Sequence, residues 1–299
     1  MRFLGLVLIL VSAAAEPILT RQPRCGDRDP EISISLCSAV IQSGGVRGRD
    51  LAVAYTARGV AYVALFDYDR ALQDFADAIR TDRTFAAAYS NRGAVYGARQ
   101  DFERAIEDFT HVIALEPRSA AAFADRGNMR RLDGQYDQAI GDYTRAISLE
   151  PAFVEAILNR ALVLAGTARC IKAIPDFTRV MTLNPEDPIA HLDRGICYEF
   201  EGRDDLALGD FSRHVAIAPR SSYGFERRAV LHYRNGRVKE ALDDFNQALL
   251  INPSSPAALY GRGFLRKLAG DPRGVDDMDT ATALRPKIAG QLAERGLKE

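Results

Sequence analysis

The chain has 299 residues, of which 47% are hydrophobic and 26% charged, and its formal net charge is −1. This apolar content excludes an intrinsically disordered chain, because it is sufficient for a continuous core. Without an excess of basic residues or a basic run, the composition also argues against a nucleic-acid-binding protein.

The first 15 residues have the pattern of an export signal. Met1 and Arg2 precede an apolar stretch over residues 3–11, and small residues follow up to Ala15. The stretch is far shorter than the roughly 20 residues that span a bilayer. We therefore expect a signal peptide over residues 1–15, cleavage after Ala15, and a periplasmic or secreted mature chain that does not insert into a membrane. Residues 16–29 would then form a linker.

Residues 30–50 predict a short amphipathic helix. Asp29 and Pro30 are typical of a helix start, and Ile34, Cys37 and Ile41 share one face of the helix that follows. The rest of the chain, described next, has the pattern of a repeat array. Because such an array exposes an apolar face at each end, we expect this segment to act as an N-terminal half-repeat cap.

A 34-residue period dominates the rest of the chain. It is carried by seven arginines, Arg58, Arg92, Arg126, Arg160, Arg194, Arg228 and Arg262. A constant period of this length predicts a repeat architecture. The predicted repeats lie within residues 52–286, at 52–85, 86–119, 120–153, 154–187, 188–221, 222–255 and approximately 256–288.

Each repeat has the pattern of two helices joined by a turn. In the first repeat, Tyr55, Gly59 and Tyr62 follow a helical spacing, and so do Ala71 and Phe75 in the second half. In most of the later repeats the break between the halves contains a glycine. A proline near the end of five repeats separates one unit from the next.

In this register the repeat resembles the tetratricopeptide repeat (TPR). The resemblance is clearest in the second repeat, at Tyr89, Gly93, Tyr96, Ala105, Phe109, Val112 and Pro117. It covers Ala52 to about Lys287. It implies an all-α TPR solenoid of seven helix-turn-helix repeats that is a non-catalytic scaffold, holding a peptide or helix of a partner protein in a concave groove lined by the first helices.

An aspartate follows six of the seven periodic arginines by 16 residues, and after a one-residue deletion Asp277 takes that place for Arg262. We hypothesise partly buried ion pairs between the two helices of a repeat, such as Arg58–Asp74, Arg92–Asp108 and Arg126–Asp142. The alternative is a set of exposed charges that contribute little to stability.

The resemblance also implies candidate partner-binding residues on the concave face. They are Arg131, Phe200, Tyr233, Arg234, Tyr260, Phe264 and Lys267. The four aromatic residues would form an exposed ridge that anchors a partner. The alternative is that these side chains pack against neighbouring first helices.

Four cysteines make an even set, which in an exported protein predicts two disulfides. Cys25 and Cys37 flank the N-terminal cap and form the first expected pair. The resemblance places Cys170 and Cys197 close together across a repeat boundary, where they would form a second disulfide or remain two buried thiols.

Residues 287–299 predict a last helix, with Ile288 and Leu292 facing the seventh repeat, as a C-terminal cap. No catalytic motif and no metal-ligand spacing occurs in the sequence, so we expect neither an enzyme nor a cofactor. A self-associating structural array, and hence a homo-oligomer, is the second functional hypothesis.

Overall fold

The computed structural model describes residues 25–298, and sixteen α-helices account for most of them. No strand occurs in this part of the chain. The predicted signal peptide lies outside the described residues, as does most of the predicted linker. The helices are α1 (Pro30–Gln42), α2 (Gly48–Ala64), α3 (Tyr68–Thr81), α4 (Ala86–Ala98), α5 (Phe102–Leu115), α6 (Ala120–Leu132), α7 (Tyr136–Leu149), α8 (Val154–Gly166), α9 (Cys170–Leu183), α10 (Pro188–Phe200), α11 (Asp204–Ile217), α12 (Ser222–Arg234), α13 (Val238–Ile251), α14 (Pro256–Leu268), α15 (Arg273–Leu284) and α16 (Ile288–Glu294).

Helices α2 to α15 form seven helical hairpins, which confirms the predicted all-α repeat fold. Each hairpin consists of a first helix (α2, α4, α6, α8, α10, α12 or α14) and the second helix that follows it. Helix α1 packs against α2, and α16 packs against α14 and α15. The chain divides into two compact bodies, an N-terminal body ending at Phe153 and a C-terminal body beginning at Val154.

The turn inside every hairpin contains one residue with a left-handed backbone. In four repeats this residue is glycine, and in the other three it is Phe66, Gln100 or Ala168. These seven positions are 34 residues apart. Glycine adopts this conformation without steric cost, which explains why the break between the two halves of a repeat is so often marked by glycine.

Small residues on the first helices allow each second helix to approach closely. A Cβ atom at Gly59 would lie 2.6 Å from the ring of Phe75, and one at Gly195 would lie 2.7 Å from the ring of Phe211. Both phenylalanines are fully buried. The periodic glycine and the periodic aromatic residue therefore pack against each other and fix the crossing of the two helices.

An arginine and an aspartate join the two helices in all seven hairpins. Each periodic arginine donates two parallel hydrogen bonds, from Nε and Nη2, to the two carboxylate oxygens, at 2.7–3.0 Å. In six of the hairpins the aspartate is buried. Two-pronged pairs of this kind fix geometry as well as charge, so they hold the register between the helices of a hairpin.

Candidate binding site on the first helices

The predicted binding residues divide between the two bodies. Arg131 lies on α6 of the N-terminal body, and its Nε atom is buried without a hydrogen-bond partner. The other six residues lie on α10, α12 and α14 of the C-terminal body. The site described below belongs to the C-terminal body alone.

The aromatic residues do not form an exposed ridge, which corrects the prediction from the sequence. Phe264 is only 5% exposed, and Tyr233 packs edge-on against it with ring centroids 5.5 Å apart. Both belong to a cluster that includes Leu292 and Leu297. The reason is that the chain after α15 returns over this face, so that its apolar side chains cover the two aromatic rings.

Phe200, by contrast, is 69% exposed at the end of α10. Tyr260 is partly buried and Lys267 is exposed, and both line a pocket of about 420 Å³ between α14 and the returning segment. Arg234 forms an ion pair with Asp204 at 2.7 Å. Of the predicted aromatic anchors, only Phe200 presents most of its ring to solvent.

A group of charged residues lies between α10, α12 and the segment after α16. The Glu199 carboxylate accepts hydrogen bonds from Nη1 of Arg227 at 2.9 Å and from Nε of Arg295 at 3.2 Å. Glu199 and Arg295 are 96 residues apart in the sequence. One carboxylate therefore binds an arginine of the neighbouring first helix and an arginine that arrives from the C-terminal segment.

Two further carboxyl groups lie in this region. Ser255 donates a hydrogen bond to Glu226 at 2.7 Å, and burial raises the pKa of Glu226, although Ser255 and Arg295 oppose the rise. Burial also raises the pKa of Asp193 to about 6, against the effect of Arg227. The positive charges of Arg227 and Arg295 thus stabilise the ionised forms of carboxyl groups that burial destabilises.

Replacing Asp193 by asparagine should raise stability above pH 6. The pKa of Asp193 is about 6 in the folded chain, above the ordinary aspartate value of 3.8. The folded state therefore binds the proton more tightly, and the free energy of unfolding falls as the pH rises from about 4 to about 6. At pH 7.5 the neutral amide should recover on the order of 3 kcal/mol. Urea unfolding at several pH values measures this, with the exposed Asp243→Asn as control. Parallel pH profiles for wild type and Asp193→Asn would contradict the expectation.

The segment Arg295–Lys298 crosses the first helices of the C-terminal body. The Tyr233 hydroxyl of α12 donates a hydrogen bond to the carbonyl oxygen of Lys298 at 2.9 Å. Leu297 is 2% exposed and belongs to the same cluster as Phe264 of α14. With Arg295 bound to Glu199 of α10, the segment contacts three successive first helices.

Sequence reasoning missed Arg227 and Arg295. Arg227 lies one position before the periodic Arg228, so the repeat register already placed it on a first helix. Nothing in the sequence pointed to Arg295, because its contact with Glu199 depends on the path of the chain after α16. Glu199 itself lies on a first helix, α10.

The four cysteines lie in two pairs. Cys25 is paired with Cys37 of α1, with Cα atoms 4.8 Å apart, and Cys170 of α9 is paired with Cys197 of α10, with Cα atoms 5.0 Å apart. The second pair connects the fourth and fifth repeats. Both sets of Cα distances lie within the range of protein disulfides.

Residues 25–298 contain neither a cluster of metal ligands nor a helix that could span a membrane. No group of three or more His, Cys, Asp or Glu side chains in this range is arranged to hold a metal ion. None of its helices is long and apolar enough to cross a membrane.

The seven consecutive helical hairpins define a helical repeat protein, and the site described above lies on its first helices. Sequence models of the tetratricopeptide repeat match residues 52–85, 91–153, 158–222 and 222–255. The chain belongs to the tetratricopeptide repeat family. Among curated proteins, no sequence matches it significantly.

Several solved structures share the fold. A TPR protein from Parabacteroides merdae has 18% identity and a TM-score of 0.60, covering 83% of this chain and 99% of its own. The C-terminal part of a TPR protein from Cytophaga hutchinsonii has 17% identity and a TM-score of 0.66, covering 78% and 94%. YrrB, described as a TPR protein with an unusual peptide-binding site, has 23% identity and a TM-score of 0.56, covering 63% and 97%.

Proposed function

We propose that this protein is a non-catalytic scaffold that binds a peptide segment of a partner protein on the first helices of its C-terminal body. The observation that carries the proposal is the path of residues 295–298. They are held on α10, α12 and α14 by a hydrogen-bonded arginine, a backbone carbonyl and a buried leucine. A face that holds one chain segment in this way has the polar and apolar groups that a peptide ligand needs.

Two further observations support the proposal. Phe200 leaves a large aromatic surface exposed on α10, and aromatic residues are frequent anchors at protein interfaces. YrrB, whose fold matches 63% of this chain, is described as having an unusual peptide-binding site. In the same proposal, export to an oxidising compartment accounts for the two cysteine pairs.

Selection of displayed random peptides against the full chain tests the proposed function. We expect enriched peptides that bind the purified chain with micromolar affinity and one-to-one stoichiometry by fluorescence anisotropy. Sedimentation should show a monomer at the same concentration. A library that yields no binder would contradict the proposal. Concentration-dependent assembly without peptide binding would favour the second hypothesis, the self-associating array.

A further inference from the structure

The segment Arg295–Lys298 extends further than a terminal cap requires. A cap needs to cover only the apolar face of the last hairpin, and α16 already packs on α14 and α15. The four residues after α16 continue to α12, where Tyr233 binds the carbonyl of Lys298, and to α10, where Glu199 binds Arg295. The segment thus lies across the face on which the proposed function places a partner.

The chemistry of the contact is that of a short recognition motif. Arg295 donates a hydrogen bond to the Glu199 carboxylate, Leu297 supplies a buried aliphatic side chain, and Lys298 is held through its backbone. Gly296 between them has φ +96°, and a Cβ atom there would lie 3.0 Å from the side chain of Arg234. The turn from the arginine to the leucine therefore needs glycine.

The guanidinium group of Arg295 is only partly hydrogen-bonded. Its Nη2 atom is buried without a hydrogen-bond partner. Burial, together with the nearby charge of Arg227, lowers the pKa of Arg295. An unsatisfied donor beside a like charge weakens the hold on this residue.

Release of the arginine leaves Glu199 and Glu226 each with a hydrogen-bond partner, Arg227 and Ser255 respectively. Glu199 keeps its hydrogen bond from Arg227 when Arg295 departs. Removing one partner of a buried pair is costly because it isolates the other charge, and that cost is avoided here. The face can therefore exchange one arginine-containing segment for another.

From this geometry we propose that residues 295–298 are a built-in occupant of the peptide-binding face, displaced by a partner segment in which an arginine is followed by glycine and then by an aliphatic residue. The inference rests on the proposed function and adds the chemistry of the ligand. Because a tethered segment acts at an effective concentration of the order of millimolar, the occupied face should bind a free segment of the same sequence weakly.

The test uses a fluorescein-labelled peptide with the sequence of residues 292–298 as the probe. It is titrated into the full chain and into the full-length double variant Arg295→Gln/Leu297→Ala, which removes both side-chain anchors and leaves α16 intact. We expect the variant to bind the probe at least tenfold more tightly than the wild type. A probe with glutamate in place of its arginine should not bind. Adding Glu199→Gln to the double variant should weaken binding of the original probe at least tenfold.

Circular dichroism verifies that the double variant keeps its helical content. Should it lose helix, Arg295→Gln alone serves instead, since it keeps the buried leucine, and we expect it to bind the probe at least threefold more tightly than wild type. A folded variant that binds the probe no better than wild type would overturn the inference. If library-selected peptides still bind through Phe200, the proposed function stands, and only the inference that residues 295–298 occupy the binding face is rejected. If neither probe nor library peptide binds, both fail.

Discussion

Replacing Gly274 by alanine should destabilise the last hairpin by about 3 kcal/mol, near the upper end of the cost of overpacking. A Cβ atom on Gly274 would lie 2.5 Å from the carbonyl oxygen of Gly263 and 2.6 Å from the backbone nitrogen of Lys267. Both neighbours are backbone atoms of α14, so they can move away only if the two helices separate. The hairpin crossing, and with it the core under α16, should loosen.

Thermal and urea unfolding of the Gly274→Ala variant measure this loss. Gly209→Ala is the matched control, because Gly209 lies within α11 of the same body and a Cβ atom there meets nothing within 4 Å. Alanine is the better helix former, so the control should gain up to about 1 kcal/mol. Equal unfolding midpoints for the two variants would show that the α14–α15 crossing is not as close as the structure has it.

Replacing Asp108 by alanine should cost about 3 kcal/mol of stability in the N-terminal body. The Asp108 carboxylate is 2% exposed and accepts both hydrogen bonds from Arg92, at 2.7 and 2.9 Å. Burial raises its pKa, and the arginine opposes that rise. Without the carboxylate, the guanidinium remains between the helices with no counter-charge, which is the costly way to break a buried pair.

An exposed ion pair in the same body is the control for this prediction. Asp69 pairs with Arg99 at 2.7 Å, but its side chain is 84% exposed, so Asp69→Ala should cost less than about 1 kcal/mol. The double replacement Arg92→Met/Asp108→Leu should cost less than Asp108→Ala, because it leaves no isolated charge. If Asp108→Ala is as mild as Asp69→Ala, the paired residues contribute no more than surface charges.

The repeat fold was predictable because the same residue pattern recurs in seven repeats of the sequence. A single Arg–Asp spacing of 16 residues could reflect chance, whereas its recurrence in six repeats, with a spacing of 15 residues in the seventh, ties the two halves of every repeat together. In the structure these side chains are in hydrogen-bonding contact in all seven hairpins. The glycine and aromatic positions recur in the same way, and they mark where the two helices of each hairpin pack closely against each other.

The candidate site was predictable only in part. The TPR register placed Phe200, Tyr233 and Phe264 on first helices, but it could not show that Phe264 is covered. That depends on residues after α16, which lie outside the period and turn back through the left-handed glycine at 296. Contacts that span 96 residues, such as Arg295 with Glu199, follow from that turn and leave no periodic trace.

Binding of a partner on the first helices of the C-terminal body is tested most directly at Phe200. Phe200 and Phe66 are both strongly exposed, at 69% and 77%, but Phe66 lies in a hairpin turn of the N-terminal body. A library-selected peptide should lose about 2 kcal/mol of binding free energy, roughly thirtyfold in affinity, with Phe200→Ala. It should bind Phe66→Ala as tightly as the wild type. Equal affinity for wild type and Phe200→Ala, or a loss confined to Phe66→Ala, would contradict binding on this face.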